Sequence, residues 1–311
     1  MKRLRDYLKS AEYRARAAAE SRKWGDHLQV EARGEMNAWL DHPEIAAHYH
    51  RRAAVDGTRW EPWVTRHQGG PAARSLDLGC GAASRSFHVW EAGASAVLEG
   101  VDISEGRVAE GERQRQRLGA PGRFWAEDVN ALTLEPDRYD LIFSAHSFHH
   151  FLELEHVMEQ VERALTPRGL FILEEFVGPT QFQWTDLQMG LTAGLLKMLP
   201  EELRRLRWNA VKHLEGRPLV EEVVAVSPFE SIRSAEIVPL FERFFEIVLT
   251  RRLGGTVQHL LYNGIVHNFW PLTEESSRAL HGILAVEDQL IDSGLLPSDF
   301  MLLVGRRRGG S

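Results

Sequence analysis

The fold is decided by residues 76–84, which read Leu76-Asp77-Leu78-Gly79-Cys80-Gly81-Ala82-Ala83-Ser84. An apolar strand runs into a turn with two glycines, and a helix starts directly after the turn. Glycines there adopt positive φ and let a ligand approach the backbone, while the helix N-terminus offers unpaired N–H groups. Because ligands of open α/β sheets bind at the carboxyl ends of the strands, we expect a ligand over residues 79–81.

Predicted strands and helices alternate on both sides of this stretch. The predicted strands are residues 74–78, 96–102, 123–126, 139–144, 170–176, 244–251 and 300–306. The predicted helices are residues 1–24, 35–64, 84–92, 105–118, 153–165, 182–214, 255–268 and 274–291. Strands that alternate with helices predict a parallel sheet that is covered on both faces.

The glycine turn does not match the common phosphate-binding motifs. Ser84 stands where a dinucleotide fingerprint needs glycine, and no Gly-Lys-Ser or Gly-Lys-Thr follows. Instead, the carboxylate of Asp77 precedes the turn, which suits an amino group better than a pyrophosphate. Asp102 ends the next predicted strand, where a carboxylate holds a ribose diol. Asp128 follows the third strand, where a carboxylate can accept from the amine of adenine.

Taken together, these residues resemble the class I S-adenosylmethionine (SAM)-dependent methyltransferases. The first motif of that family is an acid followed by three glycines at alternate positions, and the third glycine is replaced here by Ala83. The residues that match the family's motifs are Asp77, Gly79, Gly81, Asp102 and Asp128. Residues 139–150 and 165–172 resemble its fourth strand with the following turn and its approach to strand five. The resemblance covers about residues 74–176, and the last two strands more loosely.

The resemblance implies an α/β fold with a Rossmann-like, seven-stranded, mostly parallel sheet and helices on both faces. N-terminal helices precede it, and a helical cap is inserted after strand five and between the last two strands. We expect an N-terminal extension or lid (1–70), a SAM-binding core (71–178), a cap insertion (179–243) and C-terminal strands with a helical insertion (244–311). The residues expected to bind SAM are Asp77, Gly79, Cys80, Gly81, Asp102, Ile103, Asp128, Val129, Ser144 and Ala145.

Methyl transfer from SAM is a direct displacement, in which the enzyme orients the nucleophile and in some cases removes its proton. His146 follows the fourth strand, at the turn that faces the methyl group in this family. It is the first candidate for a general base or a substrate hydrogen-bond partner, and packing alone is the alternative. Glu174 and Glu175 end strand five and face opposite ways, so we expect one of them at the pocket. Glu174 is the second catalytic candidate.

The segments before strand one and after strand five commonly form the lid of this fold. The residues expected to line the substrate pocket are Tyr49, Arg51, His149, Gln181, Trp184, His259 and Asn263. Such aromatic and amide groups suit a polyhydroxylated or amide-bearing substrate. We expect no metal at His149 and His150, because adjacent histidines point in different directions and no carboxylate triad accompanies them.

Composition narrows the class of protein. The 311 residues are 43% hydrophobic and 26% charged, which fits a globular protein, and the net charge of -7 disfavours nucleic-acid binding. No apolar run reaches the length of a membrane span, and the N-terminus lacks the pattern of a secretory signal. Cys80 is the single cysteine, so no intrachain disulfide is expected. The expected location is the cytoplasm.

We therefore expect O- or N-methylation of a small molecule, such as a sugar or a natural-product intermediate. One alternative is a peptide or protein methyltransferase that holds its partner through the basic N-terminal helix. Another is a SAM-binding or scaffold protein without catalysis. Nucleic-acid methylation ranks low, because Ser144-Ala145-His146-Ser147 is not the Asn/Asp-Pro-Pro-Tyr/Phe turn of base methylators. The oligomeric state stays open, with a dimer among the options.

Overall fold

The computed structural model describes residues 6–31 and 36–309. Two predictions fall partly outside the described residues. The first five residues of the predicted N-terminal helix are among those not described, and so is Glu35, at which the second predicted helix starts.

One seven-stranded sheet forms the centre of the molecule. Its strands are β1 (Ser75–Leu78), β2 (Leu98–Asp102), β3 (Gly122–Ala126), β4 (Tyr139–Ala145), β5 (Leu165–Phe176), β6 (Phe245–Gly254) and β7 (Phe300–Arg307). The order across the sheet is β3-β2-β1-β4-β5-β7-β6. Strands β1 to β5 run parallel, and β7 lies antiparallel between β5 and β6. The strand order reverses between β1 and β4, which is the switch point at which such sheets bind ligands. The predicted α/β class, with a seven-stranded and mostly parallel sheet, is confirmed.

Helices cover both faces of this sheet. They are α1 (Ala11–Glu31), α2 (Pro43–Ala53), α3 (Trp60–Gln68), α4 (Ser84–Glu91), α5 (Glu105–Leu118), α6 (Leu154–Ala164), α7 (Asp186–Met198), α8 (Val220–Val226), α9 (Ile237–Phe244), α10 (Gln258–Tyr262) and α11 (Glu274–Asp292). Within residues 6–31 and 36–309, none of the helices combines the length and the apolar character that crossing a bilayer requires.

The alternation of side chains along β5 separates two hydrophobic cores. Leu170 and Ile172 pack in the core that contains α2, α3 and α11. Phe171 and Leu173 pack in the core on the other face, with α6 and α9. Because both faces are buried, the centre of β5 is the continuous apolar run Leu170–Leu173, as is typical of strands inside parallel sheets.

Two long predicted helices are broken in the structure. The stretch predicted over 35–64 divides into a 3-10 turn (Trp39–Asp41), α2 and α3, because Pro43 starts a new helix. In the stretch predicted over 182–214, only Asp186–Met198 is α-helical. Leu199 is extended, with φ -74° and ψ 141°, because the ring of Pro200 disfavours helical backbone at the preceding residue.

Candidate active site

A cavity of about 450 Å³ opens at the carboxyl ends of β1 to β4. Its wall contains residues 79–82 after β1, Asp102 and Ile103 at the end of β2, residues 128–130 after β3, and residues 145–147 after β4. Four consecutive positions in the sheet therefore converge on one space, at the switch point of the strand order.

The glycine turn is required by close packing as well as by backbone conformation. Gly79 and Gly81 have φ values of +73° and +52°, in the left-handed region that glycine tolerates best. A Cβ atom at Gly79 would lie 2.5 Å from the side chain of Ser147, and one at Gly81 would lie 2.9 Å from Nε of Arg107. The side chain of a larger residue at position 79 would therefore meet the turn after β4.

Ala83, which replaces the usual third glycine, points its methyl group away from the cavity. It has φ +64° and is fully buried at the start of α4. A Cβ atom built on Gly111 of α5 would lie only 3.1 Å from the Cβ of Ala83. The methyl group thus faces a glycine on the neighbouring helix, and the departure from the family motif leaves the cavity wall unchanged.

Two carboxylates face the cavity from neighbouring strands. Oδ2 of Asp102 accepts from the backbone N–H of Gly81 (2.9 Å), and its Oδ1 accepts from that of Ser104 (2.8 Å). Asp128 accepts from the backbone N–H of Asn130 with Oδ1 (3.0 Å). Burial raises the pKa of Asp102, and the two backbone donors oppose this shift. Because a carboxylate has about four acceptor positions, both side chains retain capacity for hydroxyl or amine donors of a ligand.

Helix α1 contributes to the cavity wall through Glu20 and Trp24. Glu20 accepts from Nε1 of Trp24 (2.7 Å) and from Oγ of Ser227 (2.8 and 2.9 Å). Phe229, which follows Ser227 closely in the chain, also lines the cavity. The first helix and the segment after β5 therefore contact each other and both form part of the cavity wall.

His146 lines the cavity directly after β4, with φ +55°. Its ring packs beside those of Tyr49 and Phe300, at centroid distances of 5.9 and 5.8 Å. Burial lowers the pKa of His146, and the charge of Glu174 partly opposes this effect. A neutral imidazole can accept a proton or a hydrogen bond, so His146 is chemically competent for either of its predicted roles.

Glu174 reaches the cavity only through other side chains. It accepts from Nε1 of Trp60 (3.0 Å) and pairs with Arg85 (2.5 Å), and its Oε1 lies 3.9 Å from Nε2 of His146. Burial opposes ionisation of this carboxyl, but Arg85 and His146 hold its pKa at about 2. An ionised carboxylate so engaged is suited to positioning Arg85 and His146.

Glu175 faces the opposite side of β5, as the alternation of strand side chains predicts. It accepts from the backbone N–H groups of Ser147 (2.8 Å) and Phe148 (2.6 Å) and lies 2.5 Å from Nδ1 of His149. Burial disfavours a charged ring, yet Glu175 and Glu230 raise the pKa of His149 to about 10.

The surroundings of His149 and His150 differ from those expected from the sequence. Carboxylates do accompany the two histidines. Glu175 and Glu230 flank the ring of His149, and Glu20 lies 3.1 Å from Nδ1 of His150. The sequence does not reveal this grouping, because the three acids lie far apart in the chain.

The family model described as a methyltransferase domain matches residues 70–227, just over half of the chain. The chain belongs to the methyltransferase domain family. The resemblance to class I methyltransferases is thereby confirmed, and S-adenosylmethionine is the cofactor of that class.

Curated methyltransferases match a shorter region of this family member. This chain is 29% identical over 106 residues to 27-O-demethylrifamycin SV methyltransferase of Amycolatopsis mediterranei, and the match covers 33% of this chain and 39% of that protein. It is 34% identical over 112 residues to malonyl-[acyl-carrier protein] O-methyltransferase of Methylococcus capsulatus, covering 36% and 40%. The matched region thus spans less than half of either relative.

Solved structures match over a longer region at lower identity. Geranyl diphosphate C-methyltransferase from Streptomyces coelicolor A3(2) aligns with 80% of this chain and 78% of its own, at 14% identity and a TM-score of 0.49.

Most of the residues predicted to bind the cofactor of this methyltransferase family member lie in the cavity wall. They are Gly79, Cys80, Gly81, Asp102, Ile103, Asp128, Val129 and Ala145. Asp77 and Ser144 lie behind the wall. Oδ2 of Asp77 accepts from Oγ of Ser86 (2.6 Å), and burial raises the pKa of Asp77 to about 7. Oγ of Ser144 donates to the backbone oxygen of Leu78 (2.8 Å).

The seven predicted substrate-pocket residues lie outside the cavity wall, so their roles stay predictions. Tyr49 packs behind His146, and Arg51 is exposed. Trp184 and His259 lie with their rings 6.1 Å apart beyond β5. The backbone N–H of Gln181 donates to residue 231, the side chain of His149 faces Glu175, and Asn263 accepts from the backbone of residue 39.

Several side chains in the cavity wall are not anticipated from the sequence. They are Glu20, Trp24, His50, Arg59, Arg85, His88, Arg107, Asn130, Ser147, His150, Phe151 and Phe229. Arg85 carries a signal, because a cation in the first turn of a helix is unfavourable unless something nearby compensates it. That compensation comes from Glu61 and Glu174, at 3.1 and 2.5 Å. Glu20, Trp24 and Phe229 come from distant segments whose local pattern gives no such indication.

Proposed function

We propose that this chain is a SAM-dependent methyltransferase that acts on an oxygen or nitrogen atom of a small molecule, such as a sugar or a natural-product intermediate. One observation carries the proposal. Asp102 and Asp128, at the ends of adjacent strands, face the same cavity as the turn of residues 79–81. One carboxylate suits the ribose hydroxyls, the other suits the adenine amine, and the glycine turn allows a ligand to approach the backbone. These three features match the chemistry of SAM.

The cavity residues divide between cofactor and acceptor. Asp128 would accept from the adenine amine and Asp102 from the ribose hydroxyls, with the turn of residues 79–81 against the rest of the cofactor. SAM supplies an electrophilic methyl group when it is bound. His146 would orient the acceptor or take its proton, and Glu174 would position His146 together with Arg85.

The contacts of helix α1 support a small acceptor. Glu20 and Trp24 of this helix line the cavity, so the helix forms part of the wall that would enclose a bound ligand. A lid of this kind suits an enclosed small molecule. Peptide methylation guided by the basic residues of α1, and SAM binding without catalysis, are the two competing hypotheses.

Calorimetric titration with SAM tests the proposal. We expect Asp102→Ala and Asp128→Ala each to weaken SAM binding by roughly 1–3 kcal/mol, because buried ribose or adenine donors lose their acceptor. Glu127→Ala is the matched control, since Glu127 adjoins Asp128 but is exposed and outside the cavity wall. Equal SAM affinities for all three variants and wild type would remove these acids from the site.

The acceptor class is tested separately by following transfer of a labelled methyl group from SAM. We expect label in small hydroxyl- or amine-bearing compounds and none in peptides. Label in peptides alone would favour the peptide hypothesis, and tight SAM binding without transfer to either class would favour the non-catalytic one.

A further inference from the structure

A compact group of metal-ligating side chains lies beside the cavity. One ligand atom each from His149, His150 and Glu230 falls within 4.8 Å of the others. Nε2 of His149 lies 3.5 Å from Oε1 of Glu230. The three side chains are only 11%, 10% and 16% exposed, so the group is largely buried and is not a chance cluster on the surface.

The ring of His149 is held in the orientation of a metal ligand. Its Nδ1 faces Oε1 of Glu175 at 2.5 Å, which leaves Nε2 directed toward Glu230. Glu175 is itself fixed by the backbone N–H groups of Ser147 and Phe148. Histidines that bind metals typically donate their other ring N–H to a carboxylate in this way, which sets both the tautomer and the ring orientation.

Charge balance also favours a cation at this position. Three buried carboxylates, those of Glu20, Glu175 and Glu230, surround two imidazole rings whose centroids are 4.2 Å apart. Lys23, 3.6 Å from Glu230, offsets one negative charge. A divalent cation that displaces the proton from His149 would offset the other two. Buried carboxylates are stable only when paired or bound to a metal.

One polar atom of the group lacks a hydrogen bond. Nδ1 of His150 is buried and makes none, although Oε1 of Glu20 lies 3.1 Å away. The contact with Glu20 is an ion pair without hydrogen-bond geometry, so this nitrogen keeps bonding capacity. Together with the oriented ring of His149, it gives the group two imidazoles that can bind a cation.

We propose that His149, His150 and Glu230 bind a divalent transition metal such as Zn²⁺ or Fe²⁺. Two imidazoles and one carboxylate are the donors that these ions prefer. Two ligands bound at about 2.1 Å in a tetrahedral site lie about 3.4 Å apart, which the spacing between His149 and Glu230 already matches. The inference does not depend on the proposed methyltransferase activity.

The site would join three parts of the chain. His149 and His150 follow β4, Glu230 belongs to the segment between β5 and β6, and Glu20 of α1 lies beside His150. A bound ion would therefore fasten the cavity wall, since His150 and Glu20 both line the cavity. Its role is to position these segments, and no reaction step is assigned to it.

Titration of the untagged, EDTA-treated full chain with Co²⁺ and Zn²⁺ tests the site. We expect one equivalent of Co²⁺ to give the visible bands of a tetrahedral ion, and one equivalent of Zn²⁺ to displace it. Glu230→Gln and His149→Gln should abolish these bands, and Glu175→Gln should weaken binding about 10–100-fold by removing the orienting carboxylate. His281→Gln is the control, because His281 is an exposed histidine that also lies near a glutamate.

Three results would overturn the proposal: no binding by wild type at 100 µM metal, unchanged binding in Glu230→Gln, or equal loss in His281→Gln. Should a ligand variant fail to fold by circular dichroism, X-ray absorption of the wild-type Co²⁺ complex decides the matter. Two imidazole ligands are expected there, and fewer than two would rule out this site. The melting temperature provides a further check, since a metal that binds only the folded chain must raise it.

Discussion

The hydroxyl of Tyr13 donates a 2.7 Å hydrogen bond to Oδ2 of Asp128. The same hydroxyl oxygen accepts from Nδ2 of Asn130 (3.0 Å). Burial and the charge of Asp128 raise the pKa of Tyr13, so the group stays a hydrogen-bond donor at any physiological pH. Helix α1 is thereby attached to the acid that is proposed to hold the adenine.

Tyr13→Phe should lower the free energy of unfolding by about 1.5–3 kcal/mol, because a hydrogen bond to a charged group is lost. SAM affinity should fall with it, since α1 is then held less firmly over the cavity. Denaturant unfolding and calorimetry measure the two effects. Tyr7→Phe is the control, because the hydroxyl of Tyr7 bonds to Glu12 and Arg16 in exposed and partly buried positions, and it should stay within about 0.5 kcal/mol of wild type. Equal effects of the two changes would contradict the role given to Tyr13.

Gly79→Ala should destabilise the protein by roughly 2–5 kcal/mol. The left-handed backbone contributes about 1–2 kcal/mol, and the clash with Ser147 adds about 1–3 kcal/mol of overpacking. Gly93→Ala isolates the first contribution, because Gly93 has φ +68° and no atom within 4 Å of an added Cβ. Thermal and denaturant unfolding compare the two variants. If they are equally destabilised, Ser147 does not restrict position 79.

Ala83 and Gly111 should be energetically coupled. In a chain that keeps Ala83, Gly111→Ala places the new methyl group about 3.1 Å from that of Ala83. In an Ala83→Gly background this contact is absent. We therefore expect Gly111→Ala to be more favourable in that background by about 0.5–3 kcal/mol, the range for residues in contact. A double-mutant cycle of unfolding free energies gives this value directly, and additivity would show that Ala83 does not face Gly111.

His146→Ala should lower the methyl-transfer rate by about 10²–10⁴-fold if the ring is the general base, with SAM affinity near that of wild type. Burial lowers the pKa of His146 below its ordinary value, so the ring is neutral at pH 7 and the rate should fall only as the pH drops below about 6.5. His146→Gln distinguishes the two roles. If His146→Gln recovers activity, the ring orients the acceptor. If this variant stays slow and its rate no longer falls at acidic pH, the ring is the general base.

His156→Gln is the control for these measurements, because His156 on α6 contacts the backbone of Leu132 away from the cavity. A wild-type pH–rate profile in His146→Gln would exclude base catalysis by this ring.

The sequence was sufficient for the sheet and for the acids at its edge. Asp102 and Asp128 follow apolar runs of strand length, and parallel strands bring their carboxyl ends together, so their meeting is fixed by local pattern. The lid was not predictable in this way. The bond between Tyr13 and Asp128 joins residues 115 positions apart, and a highly charged helix such as α1 has the same local pattern whether it faces solvent or a cavity.

The predicted substrate residues show what composition alone does not predict. His259 and Trp184 have the composition of a pocket lining, yet their rings pack against each other beyond β5. Composition indicates that such groups are buried together, but which face of a helix meets the cavity depends on how the segment after β5 packs. That packing is decided by long-range contacts such as the one between Gln188 and Asp299 (2.7 Å).

The attachment of α1 has a consequence for the order of events during synthesis. Glu20 binds Ser227, which lies 207 positions later in the chain, so at 5–20 residues per second its partner is made roughly 10–40 s after it. A helix forms within microseconds, so α1 cannot complete its contacts until long after it could have formed, when residue 227 has been translated. The four basic and four acidic side chains of this helix keep it soluble over that interval, and closure of the cavity is a late step in folding.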